Sequence, residues 1–132
     1  MSKSVFKVLP ISIILFLCLK CDDYEFPETP YPRVRTLSVI DVSSGGVKLR
    51  GNIIQLGETP IIEHGFVWGF DKRVTQEIGN EGILRLGART SMGQFQGDVL
   101  SELVKDETYY VRAFANTESR QVYGDAVMFV GP

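Results

Sequence analysis

The feature that most limits what this chain can fold into is a side-chain alternation of period two, recurring from residue 33 to the end. In "GVKLRGNI", residues 46–53, Val47, Leu49, Gly51 and Ile53 fall on one face and Lys48, Arg50 and Asn52 on the other. Successive side chains of an extended strand point to opposite sides, so such a segment buries one face and wets the other. "GQFQGDV", 93–99, sets Phe95, Gly97 and Val99 against Gln94, Gln96 and Asp98. "TYYVRAFAN", 108–116, sets Tyr109, Val111, Ala113 and Ala115 against Tyr110, Arg112 and Phe114. "VRTLSVIDV", "EHGFVWGF" and "QVYGDAVMFV" are rich in strand formers, and "ILRLGAR" alternates weakly. Turn signals separate these runs: "SSGG" at 43–46, "LGETP" at 56–60 and "GNEG" at 79–82. No segment carries an apolar stripe at helical spacing. About seven short strands in roughly 100 residues predict an all-β chain, a single antiparallel β-sandwich.

The first 20 residues read differently. Lys3 and Lys7 are followed by the uncharged run Val8 to Leu19. That run is too short to span a bilayer, which takes about 20 apolar residues. A basic start, a short apolar run and a polar segment is the layout of a secretory signal peptide, here residues 1–20. Both cysteines of the chain, Cys18 and Cys21, lie at its end. A metal or redox reading of Cys-x-x-Cys would need further ligands or a folded setting. The stretch "LFLCLKCDDYEF" resembles a lipobox, and this implies that Cys21 is the lipid-modified first residue of a bacterial lipoprotein. Lys20 stands where the motif ordinarily has Gly, Ala or Ser, and Cys18 is the alternative attachment point. The acids of "DDYE" are similar to those after the lipid cysteine of Bacteroidetes surface lipoproteins.

Residues 21–32 then form the lipidated cysteine and a tether rich in acids and proline, able to reach roughly 30 Å from a membrane. Lys3, Lys7 and Lys20 leave with the signal, so 11 of the 14 basic residues remain against all 16 acids. A mildly acidic chain with no basic block argues against nucleic acid as a partner.

Residues 33–132 resemble a fibronectin type III module. In "LVKDETYYVRAFA", Leu103 and Tyr109 match the corner of that family where a tyrosine opens strand F. The resemblance implies a structural role for this pair, with the phenol bonded back to the upstream backbone. The family usually has Pro-Gly at the turn, where this chain has Lys105 and Asp106. "TLSVIDVSSGGVKLRGNI", "EHGFVWG" and "VYGDAVMF" are similar to a fibronectin-like module of Bacteroidetes surface lipoproteins. Such modules serve as spacers, adhesion units and enzyme appendages alike, so the likeness implies a fold and a compartment, not a ligand.

Motifs for chemistry are sparse. His64, the lone histidine, follows Glu63, but neighbours on a strand point apart, and a surface histidine is expected. No nucleophile elbow, phosphate loop or calcium-loop spacing occurs. No catalytic residue, metal ligand or cofactor is assigned. Phe66, Trp68, Phe95, Tyr109 and Phe129 fall on core faces. Tyr110 and Phe114 fall on the outward face, as a binding surface for a protein or glycan or as cover for Gly65 and Gly69 on the paired strand. The expectation is a non-catalytic domain for interaction or display, held on an outer membrane, at the cell surface or periplasmic face, by its lipid. A carbohydrate-binding accessory of a polysaccharide-uptake system is the alternative. A small hydrolase is a third reading and would need a cleft of convergent acids.

Overall fold

The computed structural model describes residues 29–100 and 103–132. The signal segment, Cys18, Cys21 and tether residues 22–28 lie outside the described residues. The described chain is all β: β1 (Arg33–Thr36), β2 (Ile40–Ser43), β3 (Gly46–Gln55), β4 (Glu63–Gly69), β5 (Asn80–Arg85), β6 (Gly93–Val99), β7 (Thr108–Asn116), β8 (Gln121–Tyr123) and β9 (Val127–Val130).

Every pairing is antiparallel. In the first sheet β3 is central, with β6 on one side and β1 and β2 sharing the other. In the second the order is β5-β4-β7, with β8 and β9 sharing the outer side of β7. The nine segments therefore fill seven strand positions, three in one sheet and four in the other. Two edges are broken because their backbone departs from the ladder. Register shifts between Ile40 and Ser43, where Asp41 takes a positive φ of 52°. Residues 124–126 interrupt the other edge. The architecture is an immunoglobulin-like β-sandwich.

The alternation read from sequence sets the core. Val47, Leu49 and Ile53 of β3, Phe95 and Val99 of β6, and Tyr109, Val111, Ala113 and Ala115 of β7 are buried in one cluster with Phe66 and Phe129. Each large apolar side chain so buried contributes about 1.5–3 kcal/mol relative to exposure. Trp68 is partly buried and packs against the cluster. Glycine and aromatic residues face one another across strands in three pairs: Gly51 with Phe95, Gly65 with Phe114, and Gly82 with Trp68. At Gly51 and Gly82 the ring occupies the space that a Cβ would need, while at Gly65 the Leu84 carbonyl oxygen does and the Phe114 ring closes in beside it.

One polar contact joins the sheets through the core. At the break between β8 and β9, the Ala113 N–H has no ladder partner on that edge. It donates instead to Thr36 Oγ1, 2.9 Å away on β1 of the opposite sheet. Gly124 makes the approach possible, since a Cβ there would lie 2.6 Å from Thr36 N. The Gly124 N–H in turn donates to the Ala113 carbonyl at 2.9 Å.

The N-terminal boundary differs from the sequence reading. Residues 29–32, assigned to the tether, are bound to the sandwich. The Pro30 carbonyl accepts from the Glu58 and Thr59 backbone N–H groups, each at 3.2 Å, and from Thr59 Oγ1 at 3.0 Å. The Arg120 guanidinium lies 4.1 Å from the Tyr31 ring centroid. The prolines that make this segment read as linker leave its carbonyls free to accept.

Thr36→Val keeps the shape and removes the hydroxyl. It leaves the buried Ala113 N–H unpaired and is expected to cost about 1–3 kcal/mol in urea denaturation. Thr36→Ser, which keeps the acceptor, should cost less than half as much.

Candidate functional site

Of the two aromatics placed by sequence on the outward face of β7, the structure leaves one accessible. Phe114 is 0% exposed, which corrects its assignment to a binding surface. Two things cover it. Its ring packs over Gly65, with Cζ 3.3 Å from where a Cβ would stand. Residues 70–79, the connection from β4 to β5, fold back over the same side of the sheet. Val67 and Val74 are buried there, outside the main core cluster.

That fold-back is fixed by side-chain amides. Gln76 Nε2 donates to Asn116 Oδ1 at 2.9 Å, and Asn116 Nδ2 donates to Gln76 Oε1 at 2.8 Å. The Gln76 backbone N–H donates to the Tyr123 hydroxyl at 3.0 Å. Arg112 Nε donates to the Gly124 carbonyl at 2.9 Å, and its guanidinium lies 4.7 Å from the Tyr123 ring centroid. None of these contacts was read from sequence, because "FDKRVTQEIG" is polar with no period, and Val74 alone in its middle is buried.

Tyr110 remains half-buried, opposite Gly69 on β4 and Met128 on β9. It lines a shallow groove with Lys72, Arg73, Arg112, Asp125 and Ala126. The cations differ in freedom. Arg73 is tied to Asp71 at 3.0 Å, and that bond holds the Asp71 carboxyl down at about 2. Arg112 is anchored to backbone as described above. Beside Tyr110 the outward face continues into Met128, 60% exposed, and Val130, 47% exposed. Sequence reasoning passed over these two. The signal was present: "VMFV" is apolar at every position, yet a sandwich strand has only one core face, so alternate residues had to emerge.

The corner residues sit differently. Leu103 is partly buried against the core, and Tyr109 is 2% exposed, stacked on Phe129 with centroids 5.3 Å apart. The phenol oxygen accepts from the Val104 backbone N–H at 2.7 Å. The turn itself is completed by Asp106 at φ 64°, a left-handed conformation that Asp tolerates better than most residues.

His64 is 6% exposed, and the expectation of a surface histidine is wrong. It points into the sandwich beside Phe95, edge to face at 4.8 Å, and its Nδ1 lies 2.6 Å from the Gly87 carbonyl oxygen. Glu63, on the other face, accepts from the Gly87 N–H at 2.8 Å. The adjacent pair thus grips one residue from two sides and does not converge on a common outside atom. Burial of the ring lowers the His64 pKa below the usual histidine value. The Gly87 bond opposes this, the Arg89 charge adds to it and the Glu63 charge opposes it.

Among the described residues no group of three or more His, Cys, Asp or Glu side chains is gathered to hold a metal ion.

Tyr109→Phe leaves the Val104 N–H without its acceptor and should cost about 1–3 kcal/mol in denaturant unfolding. Tyr110→Phe, on the outward face, should cost well under 1 kcal/mol, since water serves its hydroxyl. Equal losses, or a larger loss at Tyr110, would count against this facing of β7.

A second expectation concerns pH. The folded pKa of His64 lies below the unfolded value of about 6.5, so the unfolded chain takes the proton first as pH falls. The stability contribution of the neutral ring is full above that value and is lost as pH drops toward the folded pKa. Urea midpoints measured between pH 7 and pH 5 should therefore decline, and His64→Gln should flatten that part of the profile. An unchanged slope in the variant would exclude His64 as its source.

Comparison of the sequence with protein-family models and with curated proteins gives no match.

Proposed function

We propose that this chain is a lipid-anchored, non-catalytic cell-envelope domain whose task is interaction or display. In this reading Cys21 carries the lipid, residues 22–28 form the free part of the tether, and the sandwich is a fibronectin type III-like module on the outer membrane of a Bacteroidetes-type cell.

The observation that carries the reading is the polarity of the sandwich. The chain enters at Thr29–Pro32, against Glu58, Thr59 and Arg120. Arg120 follows directly from the Asn116 end of β7. The accessible outward side chains Tyr110, Met128 and Val130 lie at the other end of that strand, beside Thr108. Six residues of strand separate Tyr110 from Asn116, about 20 Å. A domain held at its N-terminal end would carry this face away from the point of attachment. The sandwich also presents apolar side chains there that its own core does not use. Support for the family resemblance comes from the division of strands, three positions against four, and from the phenol bonded back to the corner backbone.

The groove favours one second reading. A half-buried tyrosine beside Lys72, in a groove whose arginines are already engaged, also suits a saccharide subsite, with the ring stacking on a sugar face and the lysine meeting its oxygens.

The anchor is tested by cell fractionation. Cys21→Ser should move the protein out of the membrane fraction while Cys18→Ser leaves it there; the reverse pattern assigns the lipid to Cys18. If both variants stay membrane-bound, the lipoprotein reading fails. On a glycan array, binding by the parent protein that disappears in a folded Tyr110→Ala variant would replace display with sugar capture.

A further inference from the structure

A sandwich has four open edges, and three of these are guarded. The β1–β2 edge carries the exposed Arg33 and Arg35 and a register shift with Asp41 at positive φ. The β6 edge carries the exposed Gln94, Gln96 and Asp98. The β5 edge carries the exposed Glu81 and Arg85, and its register also shifts at Gly69. Charges and bulges of this kind are what keep edge strands from pairing with other chains. β9 has neither. From Ala126 to Val130 it holds no charge, its register against β7 is unbroken, and among the described residues it pairs with β7 alone.

The backbone of β9 is turned the right way to pair again. The Gly131 N–H donates to the Glu107 carbonyl, and the Gly131 carbonyl accepts from the Asp106 N–H. Backbone groups alternate along a strand, so Phe129 and Val127 face β7 as Gly131 does, while Met128 and Val130 direct theirs to the open side. The same two residues carry the exposed side chains of the strand. Amide edge and apolar face therefore coincide on Met128 and Val130.

We propose that β9 is a self-association edge, and that its occupant is the β9 of a second copy of this chain, paired antiparallel across a two-fold axis. An antiparallel strand is its own complement under such an axis. Pairing Met128 of one copy with Val130 of the other forms about four backbone hydrogen bonds. It keeps outward residues opposite outward residues, so Tyr110, Met128 and Val130 of both copies join in one apolar stripe. Charge favours this edge over two of the others: identical edges bearing the β1 arginines or the β6 carboxylate would set like charges against each other, and β9 sets none, while the β5 edge is interrupted by its register shift. The two second sheets then run on as one, β5-β4-β7-β9 followed by its two-fold mate. This inference is independent of the anchor and of any ligand.

The test uses the full chain in cells, with a photoreactive benzophenone side chain at position 128 and, in a control, at position 98 on the β6 edge. Irradiation should give a product of twice the chain mass from position 128, with the adduct mapped to residues 126–130, and none from position 98. Val130→Lys, a change at an exposed position, should reduce that product at least tenfold while protease resistance of the domain is unchanged. No doubled product from position 128, an adduct to a different protein, or a doubled product that persists undiminished in folded Val130→Lys would each overturn the proposal.

Discussion

β7 must satisfy its backbone on both sides and its side chains on both faces, and the rest of the sandwich is arranged to let it. Its even-numbered residues are bonded toward β4 and its odd-numbered residues toward β8 and β9. A buried amide without a partner costs about 1–3 kcal/mol, so the gap between β8 and β9 would be a serious defect at Ala113. The hydroxyl of Thr36, sent across from the other sheet, repairs it. This bond ties the first sheet to the second, because it holds only while a backbone amide on one and a short side chain on the other stay 2.9 Å apart. Gly124 is needed for the same reason: any side chain there would meet Thr36 before the sheets closed.

Packing follows from that closure. Facing glycines and rings recur on three of the strand pairings, so large side chains are accommodated by absence on the neighbouring strand and not by separation of the sheets. On the inner side this sets Phe95 over Gly51 and Trp68 over Gly82. On the outer side it sets Phe114 over Gly65, and there the consequence is different. A ring on an outward face exposes apolar surface, and the fold-back of residues 70–79 removes it from water. The Gln76 and Asn116 side chains, bonded to each other, then hold the fold-back in place, and Gln76 also donates to the Tyr123 hydroxyl.

What is left accessible is therefore a remainder. The outward face of the second sheet is divided between the part covered by residues 70–79, at whose margin Tyr110 is half-buried beside Lys72 and Arg73, and the part at Met128 and Val130, which remain exposed. The guarded edges and the unguarded β9 show the same division.

The sequence determined the class of fold and the facing of its central strands. Period two is a property of the extended backbone, so Val47, Leu49, Tyr109 and Val111 could be assigned to the core before any partner strand was known. It also determined the corner, because a buried phenol needs a polar group and Val104 lies within a few residues. Only the tertiary structure decided which outward residues reach water. Phe114 and Tyr110 share a face and a strand, and nothing local separates them; a loop forty residues earlier in the chain buries one and stops short of the other. His64 was misplaced for the same reason, since its burial depends on Phe95 of β6 and on Gly87 in the β5–β6 connection. Alternation tells a residue which side it is on, and only the long-range packing of other segments decides whether that side is closed.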